Sequence, residues 1–400
     1  MNIKEIQKQL KTAKQTGRIF TLGNMFINED ILPEENRILS LTGFSGSYAI
    51  LFVTQSKSYL FVDGRYELQA KKEINTHQTE IVKLSEITFN NWLKKNFAKT
   101  NSKIVYDPLT TGIQTLSKLS EILPKAEFIA SKDDDKLIAP KKVKVFPHPN
   151  KYTGFTAKTK ISAFMEYIKQ KKLDAYLITS PANVSWLFNL RSNALPFTPI
   201  FRAYALIEKN GNYKIFAENT DYKEALSFKE LKKVLPTYQN LGSDFCTTPV
   251  IIKTIAPQIQ NIPDEIENLK AVKNSTELKG VRHAHLRDGV ALTKFMYWLS
   301  KNYKDKTETE ITQKLLNFRK KELNFYSESF ATIAGFGKNA AVVHYHAPAK
   351  NSAVLKKNNI LLLDSGGQYY DGTTDVTRTI ALGTPSADMI EKNTLVLKHI

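Results

Sequence analysis

The sequence repeats one order of predicted elements in two separate stretches of the chain. Each copy reads as a helix, a strand, a short helix and a β-hairpin, over residues 3–63 in the first copy and 159–216 in the second. Asn210-Gly211 lies between the two strands of the second hairpin and is a strong signal for a tight turn. A repeated unit of this size predicts two related α/β domains in tandem.

Charge runs and prolines separate the two copies. Residues 133–135 are three aspartates, and residues 140–149 contain three prolines, a composition typical of linkers. We therefore predict domain I over residues 1–138, a linker over 139–155 and domain II over 156–267.

Residues 268–400 follow a different plan, in which helices come first and strands follow. Asn274 with Glu277 and Thr307 with Glu310 are capping-box patterns, which predict the N-termini of two helices. Apolar residues at helical spacing extend the second helix through Leu323. Strands are predicted after these helices, over residues 329–334, 340–345, 360–363 and 376–382. This order predicts an α+β domain.

Two aspartates, eleven residues apart, flank a predicted turn in this last part. Asp364 follows the apolar run 360–363, where an unpaired carboxylate is costly to bury, so we expect a cation beside it. An antiparallel hairpin would place Asp364 opposite Asp375, close enough for both to bind metal. All-oxygen ligands favour manganese or magnesium, with zinc or cobalt as further candidates. The alternative is a surface hairpin with solvated acids.

The turn signal in this segment does not fit direct pairing of the two aspartates. A tight turn at Asp371-Gly372 would leave them out of register. We therefore expect a wider loop or a bulge, in which Gly366 and Gly367 supply unusual backbone angles.

Six segments of the sequence carry a resemblance to a known family. Residues 364–379 (DSGGQYYDGTTDVTRT) resemble the first metal-ligand hairpin of aminopeptidase P, the Xaa-Pro aminopeptidases of the pita-bread metallopeptidase superfamily. The other segments that resemble this family, in the same order along the chain, are residues 41–47, 62–66, 186–191, 269–277 and 339–348. The likeness is to the long, three-domain form.

The resemblance implies a fold and an activity. The fold would be two tandem creatinase-like N-terminal α/β domains followed by the first part of a pita-bread catalytic domain, in residues 268–400. The activity would be metal-dependent release of the N-terminal residue from peptides with proline at the second position. A homodimer fits the family. A non-catalytic peptide-binding or interaction protein and a prolidase-like dipeptidase are the alternatives.

The resemblance also implies roles for single residues. Two divalent ions, usually manganese in this family, would be held by Asp364, which binds one, and Asp375, which bridges both. His344, in the predicted strand 340–345, would contact the substrate and carry a proton to the prolyl nitrogen. Arg65 would reach the substrate region, with a surface arginine after a turn as the alternative. Arg378 is a candidate to hold a ligand carboxylate, with a plain cross-strand salt bridge as the alternative.

The family completes its metal site with a histidine and two glutamates that follow the aspartate pair at a distance. The sequence ends at Ile400, and Glu391 and His399 are too close to Asp375 to match. We therefore expect the remaining ligands in a longer protein.

Composition argues against several other classes of function. The net charge of +18 comes from scattered lysines, so we predict no nucleic-acid partner. No apolar run approaches eighteen residues, so no membrane partner is expected. The N-terminal helix lacks an apolar signal region and Cys246 is the single cysteine, which favours a cytoplasmic protein.

Overall fold

The computed structural model describes residues 2–131 and 142–399. The chain forms two compact units. The first contains Met1–Asn150, Phe155–Leu195 and Pro199–Val272, and the second contains Lys151–Gly154, Pro196–Thr198 and Lys273–Ile400.

The first part of the first unit is built on a mixed sheet. Its strands are β1 (Gly17–Thr21), β2 (Ile50–Thr54), β3 (Ser58–Val62), β4 (Thr79–Lys83), β5 (Lys103–Tyr106) and β6 (Glu127–Ala130). Its helices are α1 (Ile3–Thr12), α2 (Arg37–Thr42), α3 (Glu67–Glu73), α4 (Phe89–Phe97) and α5 (Ile113–Ile122), with a 3₁₀ turn at Pro33–Glu35. The strand order is β4-β3-β2-β1-β5-β6, antiparallel in the middle and parallel towards both edges.

The second part of the first unit contains a second mixed sheet. Its strands and those of a small adjoining sheet are β7 (Val145–Pro147), β8 (Ala175–Ile178), β9 (Leu190–Ser192), β10 (Tyr204–Glu208), β11 (Tyr213–Phe216), β12 (Ala225–Leu226), β13 (Leu241–Ser243) and β14 (Gln260–Asn261). The helices in this part of the chain are α6 (Asn150–Thr153), α7 (Ala157–Gln170), α8 (Pro181–Phe188), α9 (Phe228–Val234), α10 (Val250–Ile255) and α11 (Glu265–Ala271), with a 3₁₀ turn at Leu235–Thr237. All but the first residue of α6 belong to the second unit.

The second large sheet repeats the plan of the first. Its order is β12-β11-β10-β8-β13-β14, and it has the same succession of parallel and antiparallel pairs. Strand β8 corresponds to β1, and the hairpin β10–β11 corresponds to β2–β3. The internal repeat predicted from the sequence is therefore confirmed.

Strand β8 shows why the central strands are continuously apolar. Ala175 and Leu177 face one buried cluster, whereas Tyr176 and Ile178 face another. Successive side chains of a strand alternate between its two faces, so a strand covered on both sides must be apolar throughout.

The two repeats share a core and therefore form one unit. Phe26, from the first repeat, packs into the cluster around Leu177, and its ring lies edge-on to Tyr204 with 5.4 Å between centroids. Backbone bonds also cross between the repeats: Ile113 N donates to Thr248 O at 2.9 Å.

The predicted linker over residues 139–155 is only partly described. Residues 139–141 lie outside the described part of the chain, as do the aspartates 133–135. The rest differs from the prediction, because β7 pairs with β9 and α6 follows it. Pro147 ends β7, and proline is compatible with such an edge position.

The second unit begins with two helices and continues with strands. Its elements are α12 (Ser275–Asn302), α13 (Glu308–Arg319), β15 (Phe325–Glu328), β16 (Ile333–Phe336), β17 (Asn359–Ser365), β18 (Gly367–Tyr369), β19 (Gly372–Thr373), β20 (Val376–Leu382) and α14 (Ala387–Lys398), with a 3₁₀ turn at Gly337–Ala341. The strands form two small sheets, ordered β15-β18-β19 and β16-β17-β20.

Both predicted capping boxes are present in the second unit. Asn274 accepts from Glu277 N at the start of α12, and Thr307 accepts from Glu310 N at the start of α13. The prediction that α13 continues through Leu323 is wrong. The helix ends at Arg319, and Leu323 is 73% exposed, so its apolar side chain has no core to enter.

Among the described residues, no helix is long and apolar enough to cross a membrane.

Candidate metal centre

Strand β17 carries Asp364 on the face opposite its buried residues. Leu361, Leu363 and Ser365 are buried on one face, and Asp364 lies on the other because side chains alternate along a strand. Asp364 is half-buried. Its direct cross-strand partner is Thr377 on β20, whose hydroxyl donates to Asp364 Oδ1 at 2.7 Å.

The structure brings Asp375 close to Asp364, but not directly opposite it as predicted. Asp375 precedes Thr377 by two residues, so the two aspartates are offset along the strand pair. Partial desolvation raises the pKa of the Asp375 carboxyl, and the negative charge of Asp364 raises it further. The charge of Asp364 therefore acts on the carboxyl of Asp375.

The offset arises because no turn joins β17 to β20. The chain leaves β17, forms the hairpin β18–β19 in the other small sheet, and only then enters β20. Tyr369 pairs with Gly372, so the turn consists of Tyr370 and Asp371. The tight turn predicted at Asp371-Gly372 is therefore present but displaced by one residue. The wider connection predicted between the two aspartates consists of the whole β18–β19 hairpin.

Gly366 lies where the chain crosses from β17 to β18. A Cβ at this position would lie 2.0 Å from Thr374 O and 2.1 Å from Ser329 Oγ. The prediction that Gly366 and Gly367 supply unusual backbone angles is wrong, because neither has a positive φ. Gly366 is required by the close approach of neighbouring backbone instead.

Helix α12 supports the tip of the β18–β19 hairpin. Arg287 forms an ion pair with Asp371, with Nη2 and Oδ1 2.5 Å apart. Gly280 lies against the carbonyl of Asp371, and a Cβ there would be 2.2 Å from that oxygen. The hairpin is therefore held by a charge pair and by close packing.

A buried ion pair lies behind Asp364. Arg319 is 0% exposed and donates to both carboxylate oxygens of Asp288, at 2.8 and 3.0 Å. It also donates to Ser365 Oγ at 3.1 Å, and Tyr369 OH donates to Asp288 at 2.9 Å. These bonds tie α12 and α13 to the residue that follows Asp364 and to β18.

The predicted strand over residues 340–345, which was to carry His344, is wrong. Residues 337–341 form a 3₁₀ turn, and His344 lies in the turn that follows it. The 3₁₀ turn packs against β16 and β17. His344 is half-buried and adjoins His346, whose pKa is lowered by desolvation and by the charge of His344.

Tyr345, between the two histidines, is held by a buried carboxylate. Its hydroxyl donates to Glu308 Oε2 at 2.8 Å. Burial raises the pKa of Tyr345, and the bond to Glu308 raises it further.

The sequence did not predict the contacts of Glu308, Asp288 and Arg319. The partners of Glu308 lie 28 to 45 residues away along the chain. Arg319 and Asp288 are separated by 31 residues. A local pattern carries no signal at such separations. A charged residue inside a helix otherwise reads as part of a solvated face.

The two arginines named from the sequence form local contacts. Arg65, in the first unit, bonds Asp63 through its backbone N and guanidinium, with Nη2 2.7 Å from Oδ2, and this bond is the largest cause that raises its pKa. Arg378 pairs with Leu363 across the sheet and donates to Thr377 O at 2.8 Å. The register places Arg378 on the face opposite Asp364, so the predicted hold on a ligand carboxylate is not observed.

The donor set of the aspartate pair fits part of a site for hard divalent ions. Carboxylate oxygens are the ligands that manganese and magnesium prefer. Two neighbouring carboxylates gain from a cation between them, because it offsets the repulsion between their negative charges. Within residues 2–131 and 142–399, no group of three or more histidine, cysteine, aspartate or glutamate side chains is arranged to hold a metal ion. The pair therefore fits as two ligands of a larger set.

Comparison with family models assigns a class to each part of the chain. Two models described as Creatinase/Prolidase N-terminal domain match residues 25–134 and 136–277, and the model of Metallopeptidase family M24 matches residues 279–400. The combination defines a metallopeptidase preceded by two creatinase-type domains.

Individual relatives narrow this class. "Probable Xaa-Pro aminopeptidase P" of Paracoccidioides brasiliensis (strain Pb03) is 32% identical over 93% of this chain and 67% of its own length. "Xaa-Pro aminopeptidase 1" of Dictyostelium discoideum is 30% identical over 93% of this chain and 65% of its own. The chain spans about two thirds of the length of these relatives. It belongs to the Xaa-Pro aminopeptidase P family.

A solved structure agrees with this assignment. The X-prolyl aminopeptidase of Caenorhabditis elegans, described as a cytosolic enzyme with a di-nuclear active site, matches with a TM-score of 0.88 at 28% identity. The match covers 96% of this chain and 68% of that chain.

Proposed function

We propose that the protein is a metal-dependent exopeptidase that releases the N-terminal residue from peptides with proline at the second position. The observation that carries the proposal is the pair Asp364 and Asp375, brought together on the β17–β20 pair in a chain of this family. The alternatives are a prolidase-like dipeptidase and a non-catalytic peptide-binding protein. Retention of the two carboxylates beside an apolar strand favours an enzyme.

Asp364 and Asp375 would hold two divalent ions, manganese in preference to zinc or cobalt, together with ligands from elsewhere in the complete protein. Bound ions of this kind supply Lewis-acid polarisation of a carbonyl and acidification of a water molecule. Thr377 orients the Asp364 carboxylate by its hydrogen bond. The Arg319–Asp288 pair fixes the backbone behind it through Ser365.

His344 is proposed to deliver a proton to the prolyl nitrogen as the peptide bond breaks. The bond before proline is a tertiary amide, and its nitrogen must be protonated to leave as an amine. An imidazole is suited to this step near neutral pH. Arg65 is proposed to act in the substrate region and the protein to form a homodimer, as the family resemblance implies. A cytoplasmic location is proposed because the single cysteine, Cys246, fits a reducing compartment.

The experiment compares Asp375→Asn with the wild type in the complete protein. We expect the variant to lose roughly a thousandfold or more in kcat/KM on a Xaa-Pro tripeptide, because a lost ligand removes the ions' catalytic contribution. Equilibrium dialysis should also show that Asp375→Asn binds fewer manganese ions per molecule than the wild type does. Asp388→Asn, at an exposed position on α14, is the matched control and retains both properties. Wild-type turnover by Asp375→Asn with manganese supplied would overturn the proposal.

Substrate length separates the alternatives. Cleavage of the tripeptide in preference to a Xaa-Pro dipeptide supports the aminopeptidase, and the reverse preference supports a prolidase-like enzyme. Binding of both peptides without cleavage by the metal-loaded wild type would support the non-catalytic protein.

A further inference from the structure

Glu308 is a fully buried carboxylate that accepts four hydrogen bonds. Its Oε1 accepts from Phe336 N at 2.7 Å and from Asn339 Nδ2 at 3.0 Å. Its Oε2 accepts from Tyr345 OH at 2.8 Å and from Ala353 N at 3.1 Å. The residue is 0% exposed. Within the described part of the chain these are its side-chain partners.

The arrangement requires an acceptor-only group. Four donors converge on two oxygens, and no Lys or Arg among the described residues forms an ion pair with them. Glu308 is the first residue of α13, and the positive end of a helix favours a carboxylate there. Glutamine has the same shape, but its amide nitrogen can only donate, so it would set donors against donors.

The four donors come from one segment, residues 336–353, which carries both His344 and His346. Phe336 and Ala353 mark its ends, and Tyr345 lies between the two histidines. Between Phe336, which ends β16, and Ala353, the 3₁₀ turn is the segment's regular element. Side-chain and backbone bonds to α13 therefore replace the regular ladder of bonds that holds a strand.

Two further hydrogen bonds join the same end of α13 to this segment, one from the Thr309 side chain and one from the backbone of Glu308. Thr309 Oγ1 donates to Pro348 O at 3.2 Å, and Glu308 N donates to Ala353 O at 3.0 Å. The N-terminus of α13 therefore holds the segment on both sides of His344.

We propose that Glu308 is a positioning residue for the exopeptidase reaction and fixes the place of the His344 imidazole. It does so through its bonds to the side chains of Tyr345 and Asn339 and to the backbone N–H groups of Phe336 and Ala353. This inference rests on the proposed function, in which His344 delivers a proton to the leaving nitrogen. Glu308 acts through His344. A misplacement of a catalytic group by about 1 Å lowers turnover by roughly a hundredfold.

The test is a double-mutant cycle in the complete, manganese-loaded protein. Tyr345→Phe removes one bond to Glu308 and keeps the ring, and it is measured in the wild type and in His344→Ala. We expect kcat on a Xaa-Pro tripeptide to fall roughly tenfold or more in the wild type, with KM changed less than about twofold. In His344→Ala, which has already lost the group being positioned, the same change should lower kcat less than about twofold.

Glu308→Gln is the second variant, and Glu310→Gln is the matched control for the end of the helix. Glu310 caps α13 through Thr307 and also bonds Lys306, and both of these residues lie outside residues 336–353. We expect Glu308→Gln to lower kcat as much as Tyr345→Phe or more, and Glu310→Gln to leave it within about twofold of the wild type. Circular dichroism of each variant verifies that it is folded.

Hydrogen exchange gives a readout that does not depend on activity. We expect amides of residues 336–353 to exchange roughly tenfold faster or more in Glu308→Gln and at the wild-type rate in Glu310→Gln. Equal losses of kcat from Tyr345→Phe in both backgrounds would overturn the positioning role, as would unchanged kcat in Glu308→Gln. An inactive wild type would overturn the proposed function and, with it, the catalytic part of this inference. Faster exchange would then show only that Glu308 holds the segment.

Discussion

Single residues show how burial and hydrogen bonding compete at an ionisable group. Asp264, only 8% exposed, caps α11 by accepting from Ile266 N at 3.0 Å, and it also accepts from Asn183 Nδ2 at 2.8 Å. Desolvation is the larger effect and raises the pKa of Asp264 to about 6, although these bonds oppose it. The group is therefore costly to ionise in the folded protein.

Asp264 makes stability depend on pH in a predictable direction. Between about pH 4 and 6 the folded state binds a proton that the unfolded state has lost, so stability falls as pH rises through this window, by about 1–3 kcal/mol. In Asp264→Asn this contribution disappears. The measurement is urea unfolding of both proteins from about pH 4 to 8.

The informative quantity is how the difference in unfolding free energy between the two proteins changes with pH. Placing the introduced amide against Asn183 adds a cost that does not depend on pH, so it does not affect this change. We expect the wild type to become less stable relative to the variant between about pH 4 and 7, and the difference to stay constant above that. Parallel curves across the whole range would contradict the assignment.

Arg319 gives a second prediction at this scale. Arg319→Met leaves the carboxylate of Asp288 buried without its cation, and breaking such a pair costs about 3–5 kcal/mol. Lys392→Met, which removes an exposed pair with Asp388 on α14, is the control and should cost less than about 1 kcal/mol. Thermal denaturation followed by circular dichroism compares them. Similar small losses for both variants would contradict a buried pair.

At the scale of secondary-structure elements, the detour of the chain between β17 and β20 determines how the aspartates meet. The crossing at Gly366 leaves no room for a side chain, because Thr374 O and Ser329 Oγ occupy the space. Backbone, unlike the far end of a flexible side chain, cannot move aside at little cost.

We expect Gly366→Ala to destabilise the second unit by about 1–3 kcal/mol, the range for overpacking a filled space. Gly289→Ala is the control. Gly289 lies within α12, where an added Cβ would meet no atom within 4 Å, and alanine should stabilise the helix there by about 0.5–1 kcal/mol. Chemical denaturation should show a lower unfolding free energy for Gly366→Ala and a higher one for Gly289→Ala. A loss of less than about 0.5 kcal/mol in Gly366→Ala would contradict the tight crossing.

The same elements show what the sequence could and could not predict. Capping boxes placed Asn274 and Thr307 correctly, because a cap is a contact between residues three apart. The apolar run predicted β17, since burial requires it. The register of Asp375 depended on the change of sheet between β17 and β18. The conformation around His344 depended on bonds from Glu308 on α13, which no local pattern records. A short apolar stretch such as residues 340–343, which includes two valines, is predicted as a strand when its tertiary contacts are not known.

At the scale of the whole molecule, two sheets of the same plan share a core. Phe26, 5% exposed, belongs to the first repeat but packs among residues of the second, and the guanidinium of Arg202 lies 5.1 Å from its ring. The two repeats are therefore expected to lose structure together.

Truncation of Phe26 tests this coupling. Phe26→Ala should cost about 3–5 kcal/mol, as for other buried aromatic residues, and should speed hydrogen exchange in β8 and β10 as well as near residue 26. Phe155→Ala, at a position 48% exposed, is the control and should cost far less. Faster exchange confined to the first repeat would show that the repeats unfold independently.

The hairpin detour also bears on when the acidic pair forms as the protein is made. All the pairing that joins β17 to β20 and β18 to β19 lies within residues 359–382. Contacts between residues close in sequence form early, because closing a short loop costs little entropy. We therefore expect Asp364 and Asp375 to come together early in folding, which would give the newly made chain two neighbouring carboxylates for a divalent ion to meet.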